Sequence, residues 1–255
     1  MFLTLNDIKS KYQCPALAIA HGPSLTPFIP KLPNFRELNF KLFGCNDWHE
    51  MYSTVPDYWL MANTENTCYT DKELLNKYQI PYVYADSVDL TDRDWIKDNL
   101  TCPVLPFDQR HFDGMTCNEL LNSEKRSLGG YTVNGKCCNH IVSGRLTIQE
   151  ELQQLTSFPY HYSTGSTGFL HCITFAILCG CNPIYIVGLD LEYSKGYAGG
   201  KQIERFRWKE LDDYRQEILA DLSIIRDSAY NIGVDLINLN KNSIFNTIEI
   251  GESPC

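Results

Sequence analysis

The stretch ALAIAHGPSL, residues 16–25, joins five small or aliphatic residues directly to a turn of His, Gly, Pro and Ser. Five apolar residues without polar alternation are typical of a strand that is buried on both faces of a parallel sheet. In the turn, Gly22 allows the backbone to approach a ligand closely, and Pro23 fixes its own φ. Ser24 is placed to cap the helix that follows. The stretch therefore predicts an α/β fold in which a strand ends in a polar turn.

The same pattern recurs along the chain, because short apolar runs alternate with more polar, helix-like stretches. The predicted strands are residues 16–20, 40–45, 58–62, 81–85, 183–188 and 234–239. The run at 184–187 is expected in the interior of the sheet. We predict one Rossmann-like α/β domain over residues 1–255, with a mainly parallel sheet and with ligands bound beyond the carboxyl ends of its strands.

The middle of the chain, residues 111–159, loses this alternation and is rich in Asn, Gly and Ser. We predict that it forms an inserted irregular lid or lobe. Residues 130–137, GYTVNGKC, nearly match the phosphate-binding loop G-x-x-x-x-G-K-[ST]. Cys137 stands where that loop requires a metal-binding hydroxyl, and no predicted strand precedes the segment. Val-Asn-Gly-Lys at 133–136 is better interpreted as a two-residue hairpin turn.

Charge and hydropathy narrow the function classes. The formal net charge of −9 disfavours a general nucleic-acid or membrane-surface coat. No apolar run approaches the roughly 18 residues of a spanning helix, and the polar start is unlike a signal peptide. We therefore expect a cytoplasmic protein without stable membrane insertion, and its oligomeric state is left open.

The 11 cysteines invite a disulfide or zinc interpretation. Their number is odd, and no C-x-x-C pair occurs in the chain. Several lie in apolar segments, where small buried thiols are common. We predict reduced, structural cysteines and no metal site.

Polar residues follow two more of the predicted strands. Asn46 comes after the run that ends in Phe-Gly-Cys, and Asn63 comes after Trp-Leu-Met-Ala. An amide offers a donor and an acceptor together, so it can contact a nucleobase edge or a sugar hydroxyl while it stays neutral. An Asn that simply closes a turn is the alternative interpretation.

The second half of the chain carries the richest group of polar residues. Residues 163–168, STGSTG, open an apolar helix, where hydroxyls and glycines favour an anion. The helix leads into the strand IYIV, which is followed by Asp190, Tyr193 and Tyr197. Phenols can hydrogen-bond a departing phosphate without adding charge. Tyrosines that merely cover the edge of the core are the alternative.

Four of these stretches together resemble a known family, the metal-independent bacterial sialyltransferases of glycosyltransferase family 42. The shared features are a strand followed by GPSL, a strand ending in CN, the S-T-G run before an apolar helix, and I-Y-x-x-G-x-D followed by tyrosines. The resemblance covers roughly residues 16–64 and 163–240. It implies a GT-A-like variant of the Rossmann-like domain.

The resemblance also implies roles for individual residues. Tyr193 and Tyr197 would stabilise the CMP leaving group, and Asp190 would be the strand-end carboxylate of the motif. The residues that would bind the nucleotide sugar are Gly22, Pro23, Ser24, Asn46, Asn63, Ser166, Thr167 and Gly168.

Two departures from the family pattern concern the chemistry. His21 stands where the family has Asn before Gly-Pro-Ser, which alters the expected phosphate contact. The family's general-base histidine has no counterpart in residues 199–214. Histidines near the predicted rim are the candidate bases, with Asp190 and Glu192 as carboxylate alternatives. These histidines are His21, His49 and His161, of which His161 is included in the predicted catalytic set.

Residues 180–196, GCNPIYIVGLDLEYSKG, are also similar to archaeal 6-hydroxymethylpterin pyrophosphokinase-like proteins and to the flagellin glycosyltransferases called motility accessory factors. The function expected from the whole sequence is transfer of a sugar from a CMP-activated donor to an acceptor hydroxyl, without a metal or another cofactor. The acceptor would be a glycan rather than a protein or a hydroxymethylated DNA base. An ATP-dependent pterin pyrophosphokinase and a non-catalytic nucleotide-binding module are the alternatives.

Overall fold

The structure is a computed structural model that describes most of the two ends of the chain and little of its middle. The described residues are 2–3, 5–61, 71–85, 93–109, 132–133, 136–137, 162–163, 168–190, 196–200, 218–219, 222–223, 225–227, 229–243, 245 and 247–255.

Eleven strands occur in the described residues. In chain order, β1 to β11 are Ala16–Ile19, Lys41–Cys45, Tyr58–Met61, Tyr82–Ala85, Val104–Gln109, Thr132–Val133, Lys136–Cys137, Tyr162–Ser163, Ile184–Val187, Leu236–Asn238 and Glu249–Ile250. Nine of them form one sheet in the order β11-β10-β9-β1-β2-β3-β4-β5-β8. All pairings within this sheet are parallel. The predicted mainly parallel α/β sheet is confirmed.

The helices connect these strands. The α-helices α1 to α5 are Leu32–Glu37, Trp48–Met51, Lys72–Tyr78, Arg93–Asn99 and Gly168–Leu178. Three short 3₁₀ segments are Leu5–Asp7, Pro23–Lys31 and Ala198–Gly200. Most of the described residues between 218 and 231 are also helical.

Both faces of the sheet are covered, which explains why its strands read as continuous apolar runs. On one face, Ala16 and Ala18 pack in a cluster that includes the apolar residues of α5. On the other face, Leu17 and Ile19 pack with Leu25 of the following 3₁₀ segment. All four β1 side chains are fully buried. The strand that the opening stretch predicts therefore lies in the centre of the core.

All six predicted strands are confirmed to within two residues at each end, and β9 lies inside the sheet as predicted. The predicted hairpin is also confirmed, because Val133 pairs antiparallel with Lys136. Lys136 therefore lies in a strand. In a phosphate-binding loop the corresponding lysine would lie at the start of a helix. The rest of the predicted lobe at 111–159 lies outside the described residues.

The strand order reverses beside β1. The chain passes from β1 to β2 on one side, and it returns later to β9 on the other side. In open α/β sheets such a reversal separates the connections above the two neighbouring strand ends and leaves a crevice, where ligands bind. The carboxyl ends of β1 and β9 are thus the expected ligand-binding position.

None of the helices in the described residues combines the length and the apolar character that a membrane span requires.

The seven cysteines whose side chains the structure describes are free thiols, and all but Cys255 are buried. Burial raises the pKa of Cys102 to about 11 and that of Cys179 to about 12. These thiols are held protonated at neutral pH, which fits the predicted structural role.

Cys102 should therefore be alkylated at least about 100-fold more slowly than Cys255 between pH 7 and 9. At pH 9 a thiol whose pKa is about 11 is only about 1% thiolate, and its burial also hinders the reagent. Pulse alkylation with iodoacetamide followed by peptide mass spectrometry measures both rates. Equal rates in the folded protein would show that Cys102 is accessible and ionised.

Candidate functional site

The chain segments after β1 and β9 continue side by side beyond the strands. Ala20 N–H donates to the Val187 carbonyl at 2.9 Å, and Gly22 N–H donates to the Gly188 carbonyl at 2.8 Å. A Cβ on Gly22 would lie 2.5 Å from the Gly188 oxygen. Gly188 itself has a φ of +77°, and a Cβ there would lie 2.4 Å from the Ala20 oxygen. This close approach requires glycine at both positions.

Asp190 links the segments that follow β1, β9 and β10 through two hydrogen bonds. Its Oδ2 accepts a hydrogen bond from the Ser24 backbone N–H at 2.8 Å, and its Oδ1 accepts one from Asn240 Nδ2 at 2.7 Å. The carboxylate lies at the start of the 3₁₀ segment Pro23–Lys31, where a negative charge is favourable. Asp190 therefore holds the turn after β1 against the segments after β9 and β10.

Asn240 was not among the predicted site residues. It follows β10 by two residues, so the strand-then-Asn pattern that singled out Asn46 also points to it. Asn240 N–H in turn donates to Oδ1 of the buried Asn238. The backbone of Asn240, whose side chain binds Asp190, is thereby held against the end of β10.

The predicted cap by Ser24 is wrong, because Gly22 is the N-cap residue of the 3₁₀ segment and has no side chain to make the cap hydrogen bond. The carboxylate of Asp190 takes that position instead. The Ser24 Oγ is buried and has no hydrogen-bond partner within the described part of the chain. A buried hydroxyl without a partner is unfavourable by about 1–3 kcal/mol, so a ligand oxygen would be favourable here.

His21, in the turn after β1, packs against Tyr197. Their ring centroids are 6.3 Å apart at an interplanar angle of 67°, an edge-on contact. The His21 Nε2 is buried and without a hydrogen-bond partner among the residues that the structure describes. Burial, and to a smaller extent Cys45, raises the pKa of Tyr197. Its phenol therefore stays protonated at neutral pH and can donate a hydrogen bond.

Two hydrogen bonds from backbone N–H groups hold the segment that carries Tyr197 against the chain after β1. Ala198 N–H donates to the His21 carbonyl at 2.8 Å, and Gly199 N–H donates to Thr26 Oγ1 at 3.0 Å. The segment that carries Tyr197 is therefore attached to both ends of the turn after β1.

Asn46 lies at the same edge of the sheet, directly after β2, which pairs with β1 in parallel. Its φ is +45°, a left-handed conformation that Asn tolerates better than most residues. Its N–H donates to the Leu60 carbonyl at 2.9 Å, and its carbonyl accepts from Trp59 Nε1 at 2.8 Å. The need to close this turn thus partly explains why Asn occupies position 46. Its predicted ligand contact stays a prediction.

His49, another candidate base, lies one strand further along the rim. Its Nε2 is 3.7 Å from Asp71 Oδ1, and its Nδ1 is 3.6 Å from Glu50 Oε1. Burial raises the pKa of Asp71, while His49 lowers it and Glu50 raises it. His49 therefore belongs to a second polar cluster, which it forms with Glu50 and Asp71.

The structure thus brings together the predicted residues Gly22, Pro23, Ser24, Asp190 and Tyr197. Gly168 begins α5, which follows the carboxyl end of β8 and so starts at the same edge of the sheet. The remaining predicted site residues lie outside the described residues: Asn63, His161, Ser166, Thr167 and Tyr193. The roles of all these residues stay predictions.

Comparisons with known proteins identify the fold. No family model and no curated protein matches the sequence. Among solved structures, the chain is similar to the sialyltransferase CstII from Campylobacter jejuni in complex with the substrate analogue CMP-3FNeuAc. The TM-score is 0.50 at 16% identity, over 94% of this chain and 86% of that chain. A complex of CstII with cytidine-5'-monophosphate gives a TM-score of 0.51 at 15% identity, over 96% and 88% of the two chains.

The MAf glycosyltransferase from Magnetospirillum magneticum AMB-1 is also similar, with a TM-score of 0.55 at 12% identity. The match covers 95% of this chain and 34% of that chain. At these identities the comparisons establish the fold alone. The fold is the one that the resemblance to sialyltransferases and motility accessory factors implied.

Proposed function

We propose that the chain is a glycosyltransferase that transfers a sugar from a CMP-activated donor to an acceptor hydroxyl without a metal ion. The observation that carries the proposal is the cluster at the β1–β9 switch point, where Asp190 fixes the turn and Ser24 Oγ lies buried without a partner among the described residues. The shared fold with a sialyltransferase solved in complex with CMP-3FNeuAc supports the choice of donor.

The neutral donors of the cluster suit a nucleotide phosphate. The Ser24 hydroxyl and the protonated Tyr197 phenol can both donate hydrogen bonds to phosphate oxygens. Asp190 is already engaged by Ser24 N–H and Asn240, so it acts as a positioning residue for the turn. Hydrogen bonds that strengthen as charge grows on the departing CMP lower the barrier to its departure.

In the proposed reaction, the acceptor oxygen attacks the anomeric carbon of the sugar. The bond between that carbon and the phosphate oxygen breaks, and CMP leaves with the electron pair. Tyr197 and Tyr193 donate to the phosphate, and a histidine takes the acceptor proton. His161, which belongs to the predicted catalytic set, is one candidate for this base, and His21 is the candidate that lies in the described cluster. The acceptor is proposed to be a glycan.

A thermal-shift panel in the presence of a chelator tests the donor. A nucleotide at 100 times its Kd stabilises a protein by about 2.7 kcal/mol, or about 5–10 °C for a chain of this size. We expect CMP and CMP-sugars to give such a shift in EDTA. Stabilisation by ATP that requires magnesium would indicate the pyrophosphokinase instead. Binding of CMP without release of CMP from any CMP-sugar and acceptor would indicate a non-catalytic module.

Replacing Tyr197 by Phe should lower the rate of CMP release from the donor by about 10²–10³-fold, the usual effect of losing one such hydrogen-bond donor. KM for the donor should change less than about threefold, because the contact forms mainly as charge develops on the phosphate. Steady-state CMP release measures both values. Tyr230→Phe is the control, since Tyr230 is 80% exposed. An unchanged kcat in Tyr197→Phe would remove Tyr197 from the mechanism.

A further inference from the structure

A second polar cluster lies at the carboxyl ends of β2 and β3. Asp47 precedes α2, His49 lies within α2, and Asp71 precedes α3. One ligand atom from each residue lies within 4.8 Å of the other two, and all three residues are partly buried. We propose that Asp47, His49 and Asp71 form a binding site for one divalent first-row transition-metal cation. This proposal goes beyond the proposed function, and it departs from the expectation, drawn from the sequence, of no metal site.

His49 is the strongest sign of a ligand at this position. Its side chain is only 13% exposed, and its Nε2 is buried without a hydrogen-bond partner among the described residues. The nearest carboxylate oxygen, Asp71 Oδ1, lies 3.7 Å away, too far for a hydrogen bond. A buried imidazole nitrogen without a partner is costly, so the site favours an additional group between the two side chains.

The spacing fits a shared cation. Metal bonds to imidazole nitrogen and carboxylate oxygen are about 2.0–2.2 Å, so two ligand atoms on one metal lie about 2.8–3.6 Å apart at angles of 90–110°. The observed 3.7 Å between His49 Nε2 and Asp71 Oδ1 lies just above this range. A small side-chain rotation brings both atoms to bonding distance.

Asp71 is oriented for such a role. As the N-cap residue of α3 its carboxylate would ordinarily accept a hydrogen bond from the helix backbone. It makes no side-chain cap hydrogen bond, and its Oδ1 faces His49 instead. The Asp71 carboxylate therefore faces the cluster and does not cap the N-terminus of α3.

The donor set decides the class of cation. One imidazole and two carboxylates suit Zn²⁺, Co²⁺, Fe²⁺ or Mn²⁺ better than the all-oxygen sites that Ca²⁺ and Mg²⁺ prefer. Three protein ligands leave the remaining positions to water. A bound cation would tie the starts of α2 and α3 to each other next to the turn at Asn46.

Two indole rings beside the site provide a direct readout. The ring of His49 lies 5.4 Å from that of Trp59 and 5.9 Å from that of Trp48. Co²⁺ bound at His49 should therefore quench tryptophan fluorescence. We expect chelator-stripped protein titrated with CoCl₂ to show saturable quenching at one equivalent, which ZnCl₂ reverses by displacing the cobalt.

Substitutions of His49 and Asp71 test whether these residues bind the cation. His49→Gln and Asp71→Asn should each weaken Co²⁺ binding at least tenfold, since even the loss of an outer contact to a metal ligand weakens binding by about 10–100-fold. The control Asp227→Asn removes a carboxylate that is 64% exposed and paired with Arg226, and it should bind like wild type. Near-UV circular dichroism checks the fold of each variant.

The proposal is overturned if the stripped wild-type protein shows no saturable quenching. It is also overturned if a folded His49→Gln or Asp71→Asn variant binds Co²⁺ as tightly as Asp227→Asn does. A simple His49–Asp71 ion pair would give the first result. Because CMP plays no part in the titration, the outcome does not depend on the proposed donor.

Discussion

Gly22→Ala is expected to lower the free energy of unfolding by about 2–3 kcal/mol, the upper part of the range for overpacking, and to abolish stabilisation by CMP. The new Cβ would lie 2.2 Å from Asp190 Oδ2 and 2.5 Å from the Gly188 carbonyl oxygen. The second contact is with backbone, which cannot rotate away. Relief therefore requires the turn after β1 to move from β9, which displaces Ser24 from its position. Urea unfolding and the CMP thermal shift measure the two effects.

Gly233→Ala is the matched control for this substitution. Nothing lies within 4 Å of a Cβ at Gly233, but its φ is +77°. The control therefore carries only the penalty of a left-handed conformation, about 1–2 kcal/mol, and should keep the CMP shift. Stabilisation of Gly22→Ala by CMP to the wild-type extent would contradict the assigned position of the donor.

Asp190→Ala should have the second large effect. It removes the acceptor for both Ser24 N–H and Asn240 Nδ2. Hydrogen bonds to a charged group contribute about 1.5–3 kcal/mol each, so the loss of both should destabilise the fold by about 3–6 kcal/mol. Release of the turn should also lower kcat by about 100-fold, because displacing a positioned group by about 1 Å has an effect of that size. Unfolding in urea and CMP release measure these changes.

Asp190→Asn separates charge from shape. The amide keeps the size of the side chain, and a rotated Asn240 amide can still pair with it, so this variant should be more stable than Asp190→Ala. Asp227→Ala is the control for the loss of a carboxylate that lies on the surface. If Asp190→Ala matched Asp227→Ala in both stability and turnover, Asp190 would not hold the turn.

The sheet could be predicted largely from the sequence, since strands buried on both faces carry no polar alternation to obscure them. Residues 16–20 show this most clearly, and they form the central strand β1. Strand β5 was not predicted, because it contains Pro106 and a proline disfavours the assignment of a strand from sequence. It pairs with β8 only at Asp108 and Gln109, so the ladder on that side leaves Pro106 unpaired. Strands β8 and β11 have two residues each, too few for a pattern.

The individual site residues could be predicted better than their contacts. Strand-end position selected Gly22, Ser24 and Asp190, and the structure brings them together. The bond from Ser24 N–H to Asp190 joins residues 166 positions apart, and it depends on the register of β1 against β9. No local pattern contains that register. The wrong cap assignment for Ser24 has the same cause, because the capping carboxylate comes from another strand.

The most direct test of the account is a crystal structure of the chain with CMP, grown in the presence of EDTA. The account predicts the phosphate in the crevice between the ends of β1 and β9, with Ser24 Oγ and the Tyr197 hydroxyl both within about 3.2 Å of its oxygens. CMP bound on another surface, or a crevice without nucleotide at saturating CMP, would contradict it.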